Sequence, residues 1–211
     1  MLEAFILAWI GVIAAQASPG PNMFAVAQAA LGQGRRAALF VVAGINTGML
    51  VWAVGAAAGL GALFDALPVL LTVLKFLGGA YLLYLGLKGI KAALAGERQV
   101  VRAGKTDLSD AAAWRRGFLV IMTNPKAALM WSAVATFLFG MGLSNVQVME
   151  FGPLAVISGL AIYGSYGLLF STSFAATTFA RFWRAIEAVF GAAFGVLGTM
   201  LVAAGIRDIR P

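Results

Sequence analysis

The sequence contains no cysteine and no histidine, and only 11% of its 211 residues are charged. Without cysteine and histidine, the chain cannot form disulfides, thiolate or imidazole metal sites, a cysteine nucleophile or a Ser-His-Asp triad. These absences remove most familiar enzyme classes. We therefore expect a protein that is not an enzyme and that holds neither a metal nor another cofactor.

Apolar residues are what the chain has in excess. Hydrophobic residues make up 62% of the sequence and the mean hydropathy is +0.93, whereas soluble domains average about 45–50% apolar and about 25% charged residues. Stretches long enough to cross about 30 Å of hydrocarbon recur along the chain. They predict an all-α integral membrane protein with six transmembrane helices, at residues 4–30, 37–63, 67–92, 115–140, 150–178 and 185–206.

The net charge of +7 is explained by membrane topology rather than by a nucleic-acid partner, because short cytoplasmic loops are enriched in Lys and Arg. The basic residues in or beside the first, third and fifth predicted loops are Arg35, Arg36, Lys88, Lys91, Arg98, Arg102, Lys105, Arg115, Arg116, Arg181 and Arg184. The second and fourth loops carry only the acidic residues Asp65 and Glu150. This distribution predicts cytoplasmic odd-numbered loops and both termini outside, although Arg207 and Arg210 oppose the rule.

A polar stretch divides the chain into two groups of three helices. We place the first half at residues 1–93, a basic cytoplasmic linker at 94–114 and the second half at 115–211, all within one membrane domain. Because each half has an odd number of helices, related halves would form an inverted repeat. Prolines in the first helix of each half support this relation, and chance similarity of apolar sequence is the alternative.

Two short segments cannot continue as regular helix. In Ser18-Pro19-Gly20-Pro21-Asn22, each proline removes a backbone donor and the glycine adds backbone freedom, and Asn124-Pro125-Lys126 interrupts the fourth helix. Backbone groups freed at membrane depth need partners, so such breaks occur where they face protein or a water-filled cavity. Two broken helices meeting near the midplane indicate the substrate site of a transporter. A plain proline kink is the alternative for each.

Polar side chains within the predicted helices are further candidates for the site. Lys126 lies about ten residues inside its helix, where a charge is costly and indicates function, unless the side chain reaches the cytoplasmic interface. Asn46 and Gln16 also lie within helices, with interhelical hydrogen bonding as their alternative role. The second helix carries glycines at spacings typical of close helix packing, namely Gly44, Gly48, Gly55, Gly59 and Gly61.

At these residues the chain resembles the LysE/RhtB family of amino-acid exporters. The similar runs are Ser18-Pro-Gly-Pro-Asn22-Met, Gly78-Gly-Ala-Tyr-Leu-Leu-Tyr-Leu-Gly86 and Asn124-Pro-Lys-Ala127, in the family's order. The resemblance implies a six-helix carrier in the bacterial inner membrane that exports amino acids or related metabolites. It also implies coupling to the proton gradient and a homodimer. Many members carry Asp where this chain has Asn22.

The chemistry of the broken helices suits an amino acid. N–H groups exposed where a helix restarts attract a carboxylate, and Lys126 adds a full countercharge. The ammonium needs acceptors, for which Asn22, Gln16, Asn46 and freed backbone carbonyls are available. No Asp or Glu lies at mid-membrane depth in the predicted helices, so we expect a small neutral amino acid, similar to homoserine or threonine. The alternative is a carrier or channel for another small metabolite or ion.

The predicted substrate-binding residues are Ser18, Pro19, Gly20, Pro21, Asn22, Asn46, Asn124, Pro125 and Lys126.

Overall fold

The described part of the chain is built from helices alone. The computed structural model describes residues 1–60, 62, 66–67, 69–95 and 108–209, and these contain no strand. The helices are α1 (Leu2–Ala17), α2 (Pro21–Gln33), α3 (Arg35–Gly55), α4 (Val69–Ala95), α5 (Asp110–Met122), α6 (Pro125–Gly140), α7 (Asn145–Leu169) and α8 (Ser173–Ile209). A π-helical turn over Ala56–Leu60 extends α3. The predicted all-α fold is confirmed.

Four of these helices are long and apolar enough to cross a membrane. The candidate spans are Arg35–Leu60, Thr72–Ala95, Asn145–Leu169 and Thr177–Ile209. α1 and α2 are joined at a bend of 47°, and α5 and α6 at a bend of 59°, and each bent pair is long and apolar enough to count as one further span. Both bends fall at the predicted proline-containing segments, so the two broken helices are confirmed. The count of six spans stays a prediction.

The boundary between the last two helices differs from the predicted one. We expected a break at Arg181 to Arg184, but α7 ends at Leu169 and α8 begins at Ser173. The turn between them is stabilised by the Ser171 and Thr172 hydroxyls, which donate to the carbonyls of Leu168 at 2.5 Å and Leu169 at 2.9 Å. Such local bonds compete with the helix ladder, whereas arginine is a good helix former and continues it.

Several basic residues of the described chain lie at one end of the bundle, called the basic end. There Arg36 pairs with Asp110 at 2.7 Å, and Arg35 Nε donates to Ser171 Oγ at 3.1 Å. Arg184 Nε donates to the Ala93 carbonyl at 2.8 Å. These bonds bring the starts of α3 and α5 and the α7–α8 turn to the same end, as the charge pattern predicts. The predicted cytoplasmic side of this end stays a prediction.

The predicted loops and linker are only partly described. Asp65, Arg98, Arg102, Lys105 and Arg210 lie outside the described residues, as do linker residues 96–107. Within the described end of the linker, α5 begins at Asp110, because the Ser109 side chain caps it by accepting from the Ala112 N–H at 3.3 Å. The division into two halves and a linker stays a prediction.

Close helix contact holds α3 against α5. A Cβ on Gly44 would lie 1.9 Å from the Trp114 carbonyl oxygen, and one on Gly117 would lie 2.0 Å from that of Val41. One on Gly48 would lie 2.3 Å from the Ile121 side chain. The close-packing prediction is therefore confirmed for these two α3 glycines. It is wrong for Gly55 and Gly59, where a Cβ would meet nothing within 4 Å among the residues that the structure describes. Gly61 lies outside them.

Candidate functional site

The first break exposes the start of α2. α1 ends at Ala17, and Ser18 Oγ donates to the Ala15 carbonyl at 2.9 Å. Gly20 precedes α2 without a side chain to cap it, and Pro21 at the first helical position has no N–H. The next two N–H groups of the helix, on Asn22 and Met23, are thus available to an anion, and the helix dipole favours one there.

Lys126 reaches across from the second break into the first. Its Nζ donates to Ser18 Oγ, to the Ser18 carbonyl at 3.4 Å and to the Pro19 carbonyl at 3.4 Å. A Cβ on Gly20 would lie 3.4 Å from the same nitrogen. The ammonium group therefore lies beside the uncapped start of α2, and two independent sources of positive potential converge there.

A chain of amides links the two breaks. Asn124 starts α6 by accepting the Lys126 N–H at 3.0 Å on Oδ1, which leaves its Nδ2 to donate to Asn22 Oδ1 at 3.2 Å. Asn22 Nδ2 in turn donates to the Tyr163 hydroxyl of α7 at 3.2 Å. Pro125 occupies the first position of α6, where its missing N–H leaves no helical bond unmade. The predicted residues of both breaks are thus brought together.

A small polar cavity lies where the breaks meet. Five predicted residues line it, namely Ser18, Gly20, Asn22, Asn124 and Lys126, together with Gln16 and Tyr163. Its volume is about 20 Å³, enough for about one water molecule. In this conformation the site is therefore closed around less space than an amino acid needs, and substrate binding requires the helices to separate.

Four predicted site residues do not line this cavity. Pro19, Pro21 and Pro125 belong to the two breaks, whereas Asn46 lies apart from them on α3. Its Nδ2 donates to the Val42 carbonyl of its own helix at 2.8 Å, and its Oδ1 faces Gly159 of α7. Gln16 lies closer to the cavity than Asn46 does, because its side chain lines the cavity wall. Its Nε2 donates to the Ala155 carbonyl at 2.8 Å. Within the described structure the Gln16 Oε1 and the Asn46 Oδ1 are both buried without a hydrogen-bond partner, and of the two residues only Gln16 lines the cavity. Gln16 is therefore the better-placed acceptor.

Glu187 is a residue that the sequence analysis missed. The Phe194 ring lies 5.4 Å from Lys126 Nζ, and Glu187 lies two helical turns earlier on the same face of α8. Glu187 interacts electrostatically with both Lys126 and Lys88. Glu187 lies one turn after Arg184 on α8, which begins at Ser173 rather than at residue 185, and the expectation that no Asp or Glu lies at mid-membrane depth stays a prediction. The signal available in the sequence was an acidic residue inside the predicted apolar helix at 185–206.

Metal binding has no visible basis in the described residues. Across them, no group of three or more His, Cys, Asp or Glu side chains is placed to hold an ion. The ion pairs found there within 4.0 Å are Arg36–Asp110 and Lys75–Asp208, neither of which includes a residue of the polar cavity. The chemistry of the cavity is therefore that of hydrogen bonds around one ammonium group.

Comparison with known proteins identifies the family. The model of the LysE type translocator family matches residues 13–205. The threonine efflux protein of Escherichia coli K12 is 28% identical over 203 residues, which cover 96% of this chain and 98% of that protein. An uncharacterized membrane protein of Haemophilus influenzae is 26% identical over 99% of both chains. The leucine efflux protein of Salmonella choleraesuis is 32% identical over 122 residues, 58% of this chain and 57% of that protein.

No solved structure matches the chain. The family match covers both proline-containing breaks and the residues between them. It confirms the resemblance drawn from the three sequence runs. This chain is therefore a membrane transporter rather than an enzyme, and it belongs to the LysE type translocator family.

Proposed function

We propose that this protein is a secondary exporter of neutral amino acids. The observation that carries the proposal is the position of Lys126 Nζ at the uncapped start of α2, beside Ser18 and Gly20. A substrate carboxylate placed there accepts from the ammonium group and from the free N–H groups of the helix. The relatives named as threonine and leucine efflux proteins support amino-acid export.

The charge balance around the site favours a zwitterion. Lys126 and Glu187 carry opposite charges and interact without direct contact. A neutral amino acid leaves this region neutral, with its ammonium between the bound carboxylate and the Gln16 and Glu187 oxygens. A lysine or arginine substrate adds an uncompensated charge at membrane depth, which is costly. Small neutral amino acids, similar to threonine or homoserine, are therefore the first substrates to test.

The cellular setting follows from the same proposal. We place the protein in the bacterial inner membrane as a homodimer, with the basic end in the cytoplasm and both termini outside. Export against a gradient needs an energy source, for which we propose the proton gradient. Carriers for other metabolites or ions are the rival reading, and no cluster of ion ligands within the described ranges supports it.

Counterflow in liposomes tests the function. Purified protein is reconstituted into vesicles preloaded with unlabelled threonine, and uptake of labelled threonine is followed without and with an imposed proton gradient. We expect uptake that threonine, homoserine and alanine inhibit, and that lysine and arginine inhibit poorly. The proposal fails if protein-containing vesicles take up no amino acid faster than empty vesicles. Stimulation by the imposed gradient tests proton coupling separately.

A further inference from the structure

A second, apolar cavity lies beside the polar one. Its volume is about 480 Å³, and α1, α4, α6 and α8 form its walls. Its lining includes Leu85 of α4, Ala133 of α6, and Phe194 and Leu197 of α8. Cavities that bind small molecules are commonly about 300–1,000 Å³ and mostly apolar, with a few polar groups that fix orientation. This cavity has the size and the character of a ligand site.

The two cavities share a wall. Lys126, Ala15 and Met130 line both of them. Lys126 points its Nζ at the polar cavity through the bonds to Ser18, while the Phe194 ring that it faces lies in the apolar cavity. A molecule with a charged head on Lys126 and an apolar tail therefore spans from one cavity into the other.

We propose that the apolar cavity is the side-chain subsite for amino acids with large branched or aromatic side chains. The inference rests on the proposed function, and it extends the substrate range beyond threonine-like molecules. In this arrangement the carboxylate and ammonium occupy the polar site when the helices separate, and the side chain passes Met130 toward Leu85 and Leu197. Each buried methylene adds roughly fourfold in affinity, so leucine binds more tightly than alanine.

Charge favours a substrate over a bilayer lipid as the occupant. The cavity walls contain three ionisable side chains, those of Tyr81, Lys126 and Arg207. Lys126 and Arg207 are cations and lie at opposite ends of the cavity. Lys126 is held by Ser18 and Pro19 at the broken helix rather than directed outward to a lipid head group. The cation nearest the polar cavity therefore serves a carboxylate that enters that cavity. An acyl chain in the apolar cavity is the competing occupant.

The test narrows the cavity without touching the polar site. Leu197→Trp, one turn after Phe194, fills space next to Lys126. Val196→Trp is the matched control, because Val196 is the neighbouring residue, is 60% exposed and does not line the cavity. Ala133→Phe narrows the cavity from α6 and replaces Leu197→Trp if that variant melts early in detergent.

Counterflow of leucine and of alanine is measured for each variant. We expect wild-type protein to half-saturate at roughly sixtyfold lower concentration for leucine than for alanine, because three added carbons at about fourfold each multiply to that factor. The narrowed cavity should raise the leucine value by about tenfold and change the alanine value by less than about twofold, with the control unchanged. If the narrowed cavity changes the leucine and alanine values equally, the cavity is not a side-chain subsite, and a lipid acyl chain is its occupant. Exchange of alanine without leucine overturns the subsite too, while the proposed function stands. Exchange of no amino acid defeats both.

Discussion

Replacement of Lys126 by methionine removes a full charge at the site while keeping the chain length and the apolar bulk. In the structure Lys126 Nζ bonds to Ser18 and Pro19 and lies beside Gly20. A substrate carboxylate there gains one charge-assisted hydrogen bond, worth about 1.5–3 kcal/mol, or roughly ten- to a hundredfold in affinity. We therefore expect Lys126→Met to raise the half-saturating threonine concentration by about that factor. The measurement is counterflow in liposomes at equal protein content.

Two further variants make the Lys126 result specific. Lys91→Met makes the same chemical change at an exposed position of the basic end and should leave affinity unchanged. Lys126→Arg keeps the charge but brings a larger planar head group beside Gly20, so it should retain partial activity at best. If Lys126→Met binds threonine as tightly as the wild type, Lys126 does not hold the carboxylate and the proposed site is wrong.

Three other perturbations test the remaining parts of the argument. Replacing Pro19 and Pro21 together by alanine restores the backbone N–H groups and lets the first helix form continuous hydrogen bonds. The variant should insert into the membrane normally, while its transport rate falls about tenfold or more. Full transport would show that the prolines only bend the helix. Gly44→Ala should destabilise the protein by about 1–3 kcal/mol in thermal unfolding, because the methyl group meets the backbone of α5. Gly55→Ala on the same helix meets nothing and should not lower the melting temperature. An accessibility tag at residue 104 should report cytoplasm and tags at the termini the outside, and the reverse pattern contradicts the charge-based orientation.

The broken helices could be predicted because proline acts locally. Pro19, Pro21 and Pro125 lack the N–H that a helix interior uses, and the bends of 47° and 59° fall at these segments, whereas α7 continues through the single Pro153. A lysine buried in an apolar segment is similarly informative without a structure, because its charge needs partners there. The structure supplies those partners, since Lys126 meets Ser18 and Pro19 from a different helix. Which helix would provide them could not be read from the sequence.

The predictions that were wrong concern features that depend on tertiary packing. The Arg181 to Arg184 segment has the polarity of a loop, but arginine propagates a helix well and the turn forms at Ser171 and Thr172 instead. The earlier helix start places Glu187 well within α8 rather than near its first residue. Asn46 was a reasonable polar candidate, yet its side chain bonds to Val42 of its own helix. Neither the direction of a side chain nor its nearest neighbour follows from helical periodicity alone.

The amide chain from Asn124 through Asn22 to Tyr163 constrains how the protein can move. It ties α6, α2 and α7 with two buried, directional bonds, and each is worth about 0.5–1.5 kcal/mol and more if left unpaired. By contrast, α8 meets α2 through the Phe24 and Trp183 rings, 6.1 Å apart, and apolar contacts are non-directional. Sliding across an aromatic contact exchanges one set of neighbours for another. α8 can therefore shift past α2 without breaking the amide bonds, whereas separating α2, α6 and α7 to admit a substrate must break them.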